Sequence, residues 1–203
     1  WEVKRLRHLS PSISVGVVVN PSSYWSEEGV PFLYGSNVSE GSISTEDCRR
    51  IPAGVSNGIL KKSQLNAGDL VTVRVGYPGV TAVVPPELEG ANCASMMLVR
   101  KSLAFNSRWL CHVMNSRIGK YQVEVVQYGA AQEQFNIGHA VDFRYPCPPI
   151  NEQHYIAECL DGETAKIDAM MAKQVQTVAI LKERRSALIT AAVTGQIDVR
   201  GLV

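Results

Sequence analysis

All ten prolines of this chain lie at or before Pro149, and thirteen of its sixteen glycines do too. Both residue types punctuate regular structure, proline by removing a donor and glycine by its conformational freedom. The chain therefore changes character near residue 150. Beyond it, apolar positions take a helical period. Leu160, Ile167, Gln174, Leu181 and Leu188 are spaced by seven, and Ala157, Thr164, Met171, Val178, Arg185 and Ala192 form a second row of seven. Placed as d and a positions these rows make a coiled-coil seam over about five heptads, interrupted at Gln174 and Arg185. We assign helix pairing to Leu160, Ile167, Met171, Val178, Leu181 and Leu188. A helix over Asn151–Ala192 would reach roughly 60 Å, too long to bury its stripe against a 150-residue domain alone. It calls for a partner helix, with a helix folded back on its own domain as the competing arrangement.

The first part reads as short strands and turns. Val15–Val19, Leu70–Val75, Val80–Val84 and Met96–Val99 are apolar or β-branched runs. They are bounded by turn residues such as Asn20-Pro21, Ala67-Gly68-Asp69 and Gly76-Tyr77-Pro78-Gly79. Between Ser107 and Ile118, Leu110, Val113, Met114 and Ile118 recur at helical spacing, with Asn106 or Ser107 as the cap. The fold class is α+β: a mixed α/β domain over residues 1–149, a long coiled-coil helix over 150–194, and a tail over 195–203.

Composition narrows the function classes. The chain is 45% hydrophobic and 19% charged with net charge +1, and its mean hydropathy is −0.02. That excludes disordered and collagen-like classes. The longest apolar run, Val15 to Val19, is far below the roughly 18 residues of a membrane span, so no membrane partner is expected. The five cysteines are scattered without a C-x-x-C pair, which fits reduced, mostly buried thiols in a cytoplasmic protein. His139, Cys147, His154 and Cys159 match no common zinc spacing.

Catalytic motifs are weak. Gly54-Val55-Ser56-Asn57-Gly58 spells the G-x-S-x-G of a nucleophile elbow, but Pro52 precedes it closely and Asn66-Ala67-Gly68-Asp69 closes the stretch behind it. A chance match in a turn is the better reading, and a Ser56 hydrolase is the minor alternative. No Walker lysine follows a glycine run, and no Asn/Asp-Pro-Pro-Tyr string of an amino-methyltransferase occurs.

Planar polar and basic residues gather in expected loops. Arginine and glutamine can each bond a base edge bidentately in the major groove. On that chemistry we take Arg74, Tyr77, Gln127, Tyr128, Gln132 and Gln134 as candidate base readers, and Lys61, Lys62, Arg117 and Lys120 as candidate phosphate contacts. Residues 1–150 carry 14 Lys+Arg against 12 Asp+Glu, a balance of +2, which is not a strongly basic footprint.

Three stretches together resemble the specificity (S) subunits of Type I restriction–modification systems. Trp1-Glu2-Val3-Lys4-Arg5-Leu6 is similar to the opening of a target-recognition domain. Asn66-Ala67-Gly68-Asp69-Leu70-Val71 through Arg74-Val75-Gly76-Tyr77-Pro78-Gly79 resembles that domain's glycine–aspartate strand and loop. Pro148-Pro149-Ile150-Asn151-Glu152-Gln153, with Ile156-Ala157 and Leu160, resembles the entry to the family's spacer helix. Leu181-Lys182-Glu183-Arg184-Arg185-Ser186-Ala187-Leu188-Ile189 and Ala192-Val193-Thr194-Gly195-Gln196-Ile197 resemble that helix's end.

The resemblance implies a non-catalytic subunit that reads one half of a bipartite duplex site and pairs its helix in an antiparallel coiled coil. It also implies methyltransferase (M) and restriction (R) subunits as partners. Any cofactor then sits elsewhere, S-adenosylmethionine on M and ATP with magnesium on R. Family members usually carry two recognition domains and two helices, and this chain has one of each. It is then half of a longer chain, its ending matching the C-terminal half, or a half-length subunit that dimerises; the start at Trp1 leans toward the former. The rival class is a coiled-coil protein–protein interaction module without DNA specificity.

Overall fold

The apolar runs Leu70–Val75 and Met96–Val99 become the middle of the main sheet. In this computed structural model residues 1–128, 134–198 and 200 are described. The elements are β1 (Glu2–Arg5), α1 (Leu6–Leu9), β2 (Ile13–Val15), β3 (Val30–Leu33), β4 (Val38–Ser39), β5 (Ser42–Ile43), β6 (Arg49–Ile51) and α2 (Ala53–Asn57). There follow β7 (Leu70–Thr72), β8 (Thr81–Val83), β9 (Asn92–Cys93), β10 (Met97–Val99), α3 (Ser107–Asn115), α4 (Arg117–Tyr128), α5 (Ile137–Ala140), β11 (Arg144–Cys147) and α6 (Ile150–Val193). The largest sheet runs in the order β2-β10-β7-β8, antiparallel throughout. A mixed sheet runs β6-β3-β9, and two ribbons pair β1 with β11 and β4 with β5.

The two central strands are apolar at successive positions because both faces of the sheet are covered. Leu70, Met97 and Val99 face one core with Trp109, Leu110 and Met114 of α3. Val71, Met96 and Leu98 face the other with Leu33, Leu65 and Cys93. Between β7 and β8 the buried hydroxyls of Thr72 and Thr81 bond each other at 2.9 Å, and that of Thr81 also donates to Gly79 O. The chain closes on itself when β1 pairs with β11, Glu2 opposite Cys147.

The strands are shorter than the apolar runs suggest. The Val15–Val19 run supplies only the last residue of β2; Gly16 leaves the strand, Val17 is buried in an isolated parallel bridge with Ala94, and Val18 and Val19 are exposed. Tertiary contact decides this. A Cβ on Gly16 would collide with the Cys93 carbonyl, so the backbone passes there only as glycine.

The helix expected from Ser107 to Ile118 is instead two helices. Asn106 caps α3, its side chain accepting from Trp109 N. Ser116 is extended at ψ 169° and its Oγ accepts from Ile118 N. The second helix, α4, is a correction to the sequence reading, which placed Arg117, Lys120, Gln127 and Tyr128 in loops.

By compactness the chain forms two units, Trp1–Ala157 and Glu158–Val203. The first two turns of α6 belong to the first unit, with Gln153 and Ala157 buried there. In the second unit the helix carries Leu160, Ile167, Met171, Val178, Leu181 and Leu188 between 39% and 61% exposed. It ends in a left-handed cap: Gly195 sits at φ +71°, Gln196 N donates to Ala191 O and Gly195 N to Ala192 O. No helix among the described residues is long and apolar enough to cross a membrane.

Candidate nucleic-acid interface

Because the main sheet is antiparallel, one of its ends collects the turn after β2, the turn before β10 and the β7–β8 loop. Backbone bonds lock the first two together: Val17 N donates to Cys93 O at 2.7 Å and Ser95 N to Val17 O at 2.9 Å. Ser95 takes a left-handed conformation, φ +35°, to make that turn.

Arg74 ties in the third. Its Nε donates to Phe135 O at 3.1 Å and one terminal nitrogen to Ser95 O at 3.3 Å. Partial burial lowers the guanidinium's pKa from its ordinary value. Arg74 thus braces two other segments through their carbonyls, using two of its five N–H groups. Next to it Val75 bridges Gln134, and beyond the bridge Gly79, at φ +94°, lies where a Cβ would meet Val123 of α4 at 3.2 Å. Exposed at this tip are Val18 at 71%, Val75 at 54% and Tyr77 at 81%, with the polar Gln134 beside them.

The sequence-derived candidates divide around this frame. Arg74, Tyr77 and Gln134 come together at the tip, and α4 carries Gln127 one turn beyond Val123. Tyr128 is the last residue of α4, and Gln132 lies outside the described residues. Lys61 and Lys62 stand at the opposite end of the sheet, where Arg100, following β10, donates to Lys62 O at 3.2 Å. They line a cleft of about 1000 Å³ with Ser12, Ser14, Gln64 and Arg100. From Ser95 to Arg100 is five residues of near-extended chain, roughly 17 Å. Arg117 is exposed in the first turn of α4, and Lys120 pairs with Glu40 at 2.6 Å. The reading from sequence missed Val18, Val19 and Val75, whose apolar character made them look like core. The Asn20-Pro21 turn directly after Val19 was the one available sign that the run stops short.

The nucleophile-elbow string has a structural explanation. Ser56 lies within α2, fully buried, and its hydroxyl donates to Gly90 O at 2.6 Å. Burial pushes the Cys93 thiol up to about 12, far from a thiolate at neutral pH. Among the described residues no three His, Cys, Asp or Glu side chains are grouped to hold a metal ion.

No family model matches the chain. Curated proteins do. The chain is 24% identical over 183 residues to the Type I restriction enzyme EcoKI specificity subunit of Escherichia coli K12, covering 86% of this chain and 38% of that protein. It is 24% identical over 181 residues to the StySPI specificity subunit of Salmonella potsdam, 85% of this chain and 38% of that one. A 56-residue stretch is 45% identical to the EcoBI specificity subunit of Escherichia coli, 28% of this chain and 12% of the relative. Over most of its length this chain is similar in sequence to Type I specificity subunits.

Solved structures share the fold. A chain from a structure on complex assembly and conformational transition of the type I R-M system superposes with TM-score 0.71 at 21% identity, covering 95% of this chain and 45% of that one. The HsdS subunit from Thermoanaerobacter tengcongensis gives 0.60 at 14% identity, over 97% and 49%. The chain thus spans under half the length of the specificity subunits it matches.

The Pro148-Pro149-Ile150-Asn151-Glu152-Gln153 stretch at the helix entry has a physical role in this chain. Gln153, buried, donates from Nε2 to Pro148 O at 2.9 Å and accepts at Oε1 from Asn106 N at 2.8 Å. It joins the start of α6 to the cap of α3. Glu152 accepts from the Trp1 indole at 3.0–3.1 Å, and Glu152 N donates to Pro149 O. Within the first unit, Gln153 and Glu152 thus tie the first turn of α6 to Asn106 and Trp1.

Proposed function

We propose that this chain is the recognition domain and spacer helix of a Type I specificity subunit. Residues 1–149 read one half of a bipartite duplex site, with the Tyr77 end of the main sheet against the bases. The helix pairs antiparallel with a second spacer helix, from another copy or from the rest of a longer chain, and docks the methyltransferase subunits. Restriction subunits join through that complex. The chain contributes no catalytic group; S-adenosylmethionine belongs to the methyltransferase subunits, ATP and magnesium to the restriction subunits, and the assembly works on cytoplasmic DNA.

The observation that carries this reading is the relationship to two specificity subunits across 85–86% of the chain. The uncovered apolar row of α6 supports the pairing. At about 1.5 Å per residue its 44 residues reach about 66 Å. At about 3.4 Å per base pair that bounds the separation of half-site centres at roughly 19 base pairs. A second reading, an interaction module that binds protein and no DNA, is favoured by the net charge of only +1.

Duplex binding by the full-length protein with its methyltransferase subunits separates the two. Under the first reading, selected duplexes are bound more tightly than random DNA and affinity falls with salt; equal, salt-insensitive binding leaves the interaction module. Light scattering tests the seam. Where the chain pairs with another copy, Leu181→Lys with Leu188→Lys is expected to reduce the dimer to monomer at unchanged helix content, and an unchanged dimer mass refutes the seam.

A further inference from the structure

The tip of the main sheet places a branched apolar side chain beside a planar amide. Val75 and Gln134 are partners in an isolated antiparallel bridge. Residues directly opposed in such a pair project to the same side, with Cβ atoms about 4.5–5.5 Å apart. Val75 is 54% exposed and Gln134 is exposed. The bridge is braced from behind, since the Arg74 guanidinium holds the carbonyl of Phe135, the residue after Gln134, and that of Ser95. Two side chains of different chemistry thus stand side by side on a braced bridge.

That pairing matches one base pair. In the major groove an A·T pair offers, on a single edge, the N7 acceptor and N6 donor of adenine and the C5-methyl of thymine. A glutamine amide meets the first two by accepting from N6–H and donating to N7, and a valine meets the methyl. A G·C pair presents no methyl and a different donor–acceptor order. We propose that the Val75–Gln134 pair reads one A·T base pair in the major groove, Gln134 on the adenine and Val75 on the thymine methyl, with Arg74 as the positioning residue. The assignment rests on the DNA-recognition reading above and deepens it, naming Val75 as a specificity residue and Arg74 as one that acts through it.

The test uses duplexes selected from a randomised pool by the full-length protein in its purified complex. Each thymine of the selected site is replaced in turn by uracil, which removes the methyl and leaves the hydrogen-bonding edge intact. The expected result is one position where uracil weakens wild-type binding on the order of fourfold and leaves Val75→Ala unaffected. At that same pair, exchange of A·T for G·C costs the wild type about tenfold or more, and Gln134→Ala loses most of that discrimination. The pair is overturned when every uracil acts alike on wild type and Val75→Ala, or when the two variants couple to different base pairs. It is also overturned when either variant melts well below the wild type, which assigns the bridge to packing alone. If the wild type prefers no duplex over random DNA, the recognition reading itself falls, an outcome distinct from the loss of the pair.

Discussion

Asp69 shows how much one residue of the turn Asn66-Ala67-Gly68-Asp69 supports. It is 1% exposed and meets Arg100 at 2.6 Å, Asn66 through both backbone and side chain at 3.1 Å, and Lys101 N at 2.9 Å. Removing one partner of a buried pair strands the other charge, so Asp69→Ala is expected to cost about 3–5 kcal/mol in urea unfolding. Arg74 is the opposite case, a residue whose type suggested base reading and whose bonds make it a strut. Arg74→Ala should destabilise the domain by about 1.5–3 kcal/mol, the range for hydrogen bonds to a charged group. The same change should speed hydrogen exchange at Val73 and Val80, whose amides close the β7–β8 loop. Unchanged exchange there would leave Arg74 free to read bases.

At the scale of elements, the turn between α3 and α4 was hidden by a period that runs through it. Leu110, Val113, Met114 and Ile118 keep helical spacing across Ser116, yet Ser116 is extended. The Asn115 side chain there accepts from Thr81 N at 2.9 Å and donates to Thr81 O at 2.8 Å, anchoring the end of α3 to β8. The two helices approach closely at Gly119, where a Cβ would collide with the Met114 carbonyl. Gly119→Ala should therefore cost roughly 1–3 kcal/mol in thermal or urea unfolding, despite alanine's better helix propensity. A stabilised variant would show that the approach is looser. The long helix is the contrary case: its proline-free, heptad-spaced sequence is a local signal, and α6 runs Ile150–Val193, against a heptad span of Asn151–Ala192 and an assigned segment of 150–194.

For the whole molecule, charge is the informative quantity. The first 150 residues balance at +2, and Lys4 and Lys120 are already engaged with Glu2 and Glu40. Such a chain neutralises few phosphates, so the logarithm of its DNA affinity should fall only shallowly with the logarithm of salt. Each phosphate contact contributes a slope of about −0.9. If Lys61 and Lys62 meet phosphates from the far end of the sheet, Lys61→Ala and Lys62→Ala each reduce the slope by about one. An unchanged slope assigns them to a solvated face.

Local rules account for the α+β class, the change of character at Pro149, the long helix, the apolar strand runs and the likeness carried by the residues at each end of the helix. Where each exposed residue faces depends instead on contacts distant in sequence. Val18 and Val75 have the composition of core, and Lys61 and Arg74 that of DNA contacts. Yet the valines are exposed, Arg74 holds the carbonyls of Phe135 and Ser95, and Lys61 lies at the far end of the sheet. The physical reason is that strand length and side-chain direction depend on what lies opposite in the sheet. The Cys93 carbonyl at Gly16, Ser95 at Val17 and Gln134 at Val75 are all distant in sequence. No window of neighbouring residues contains them.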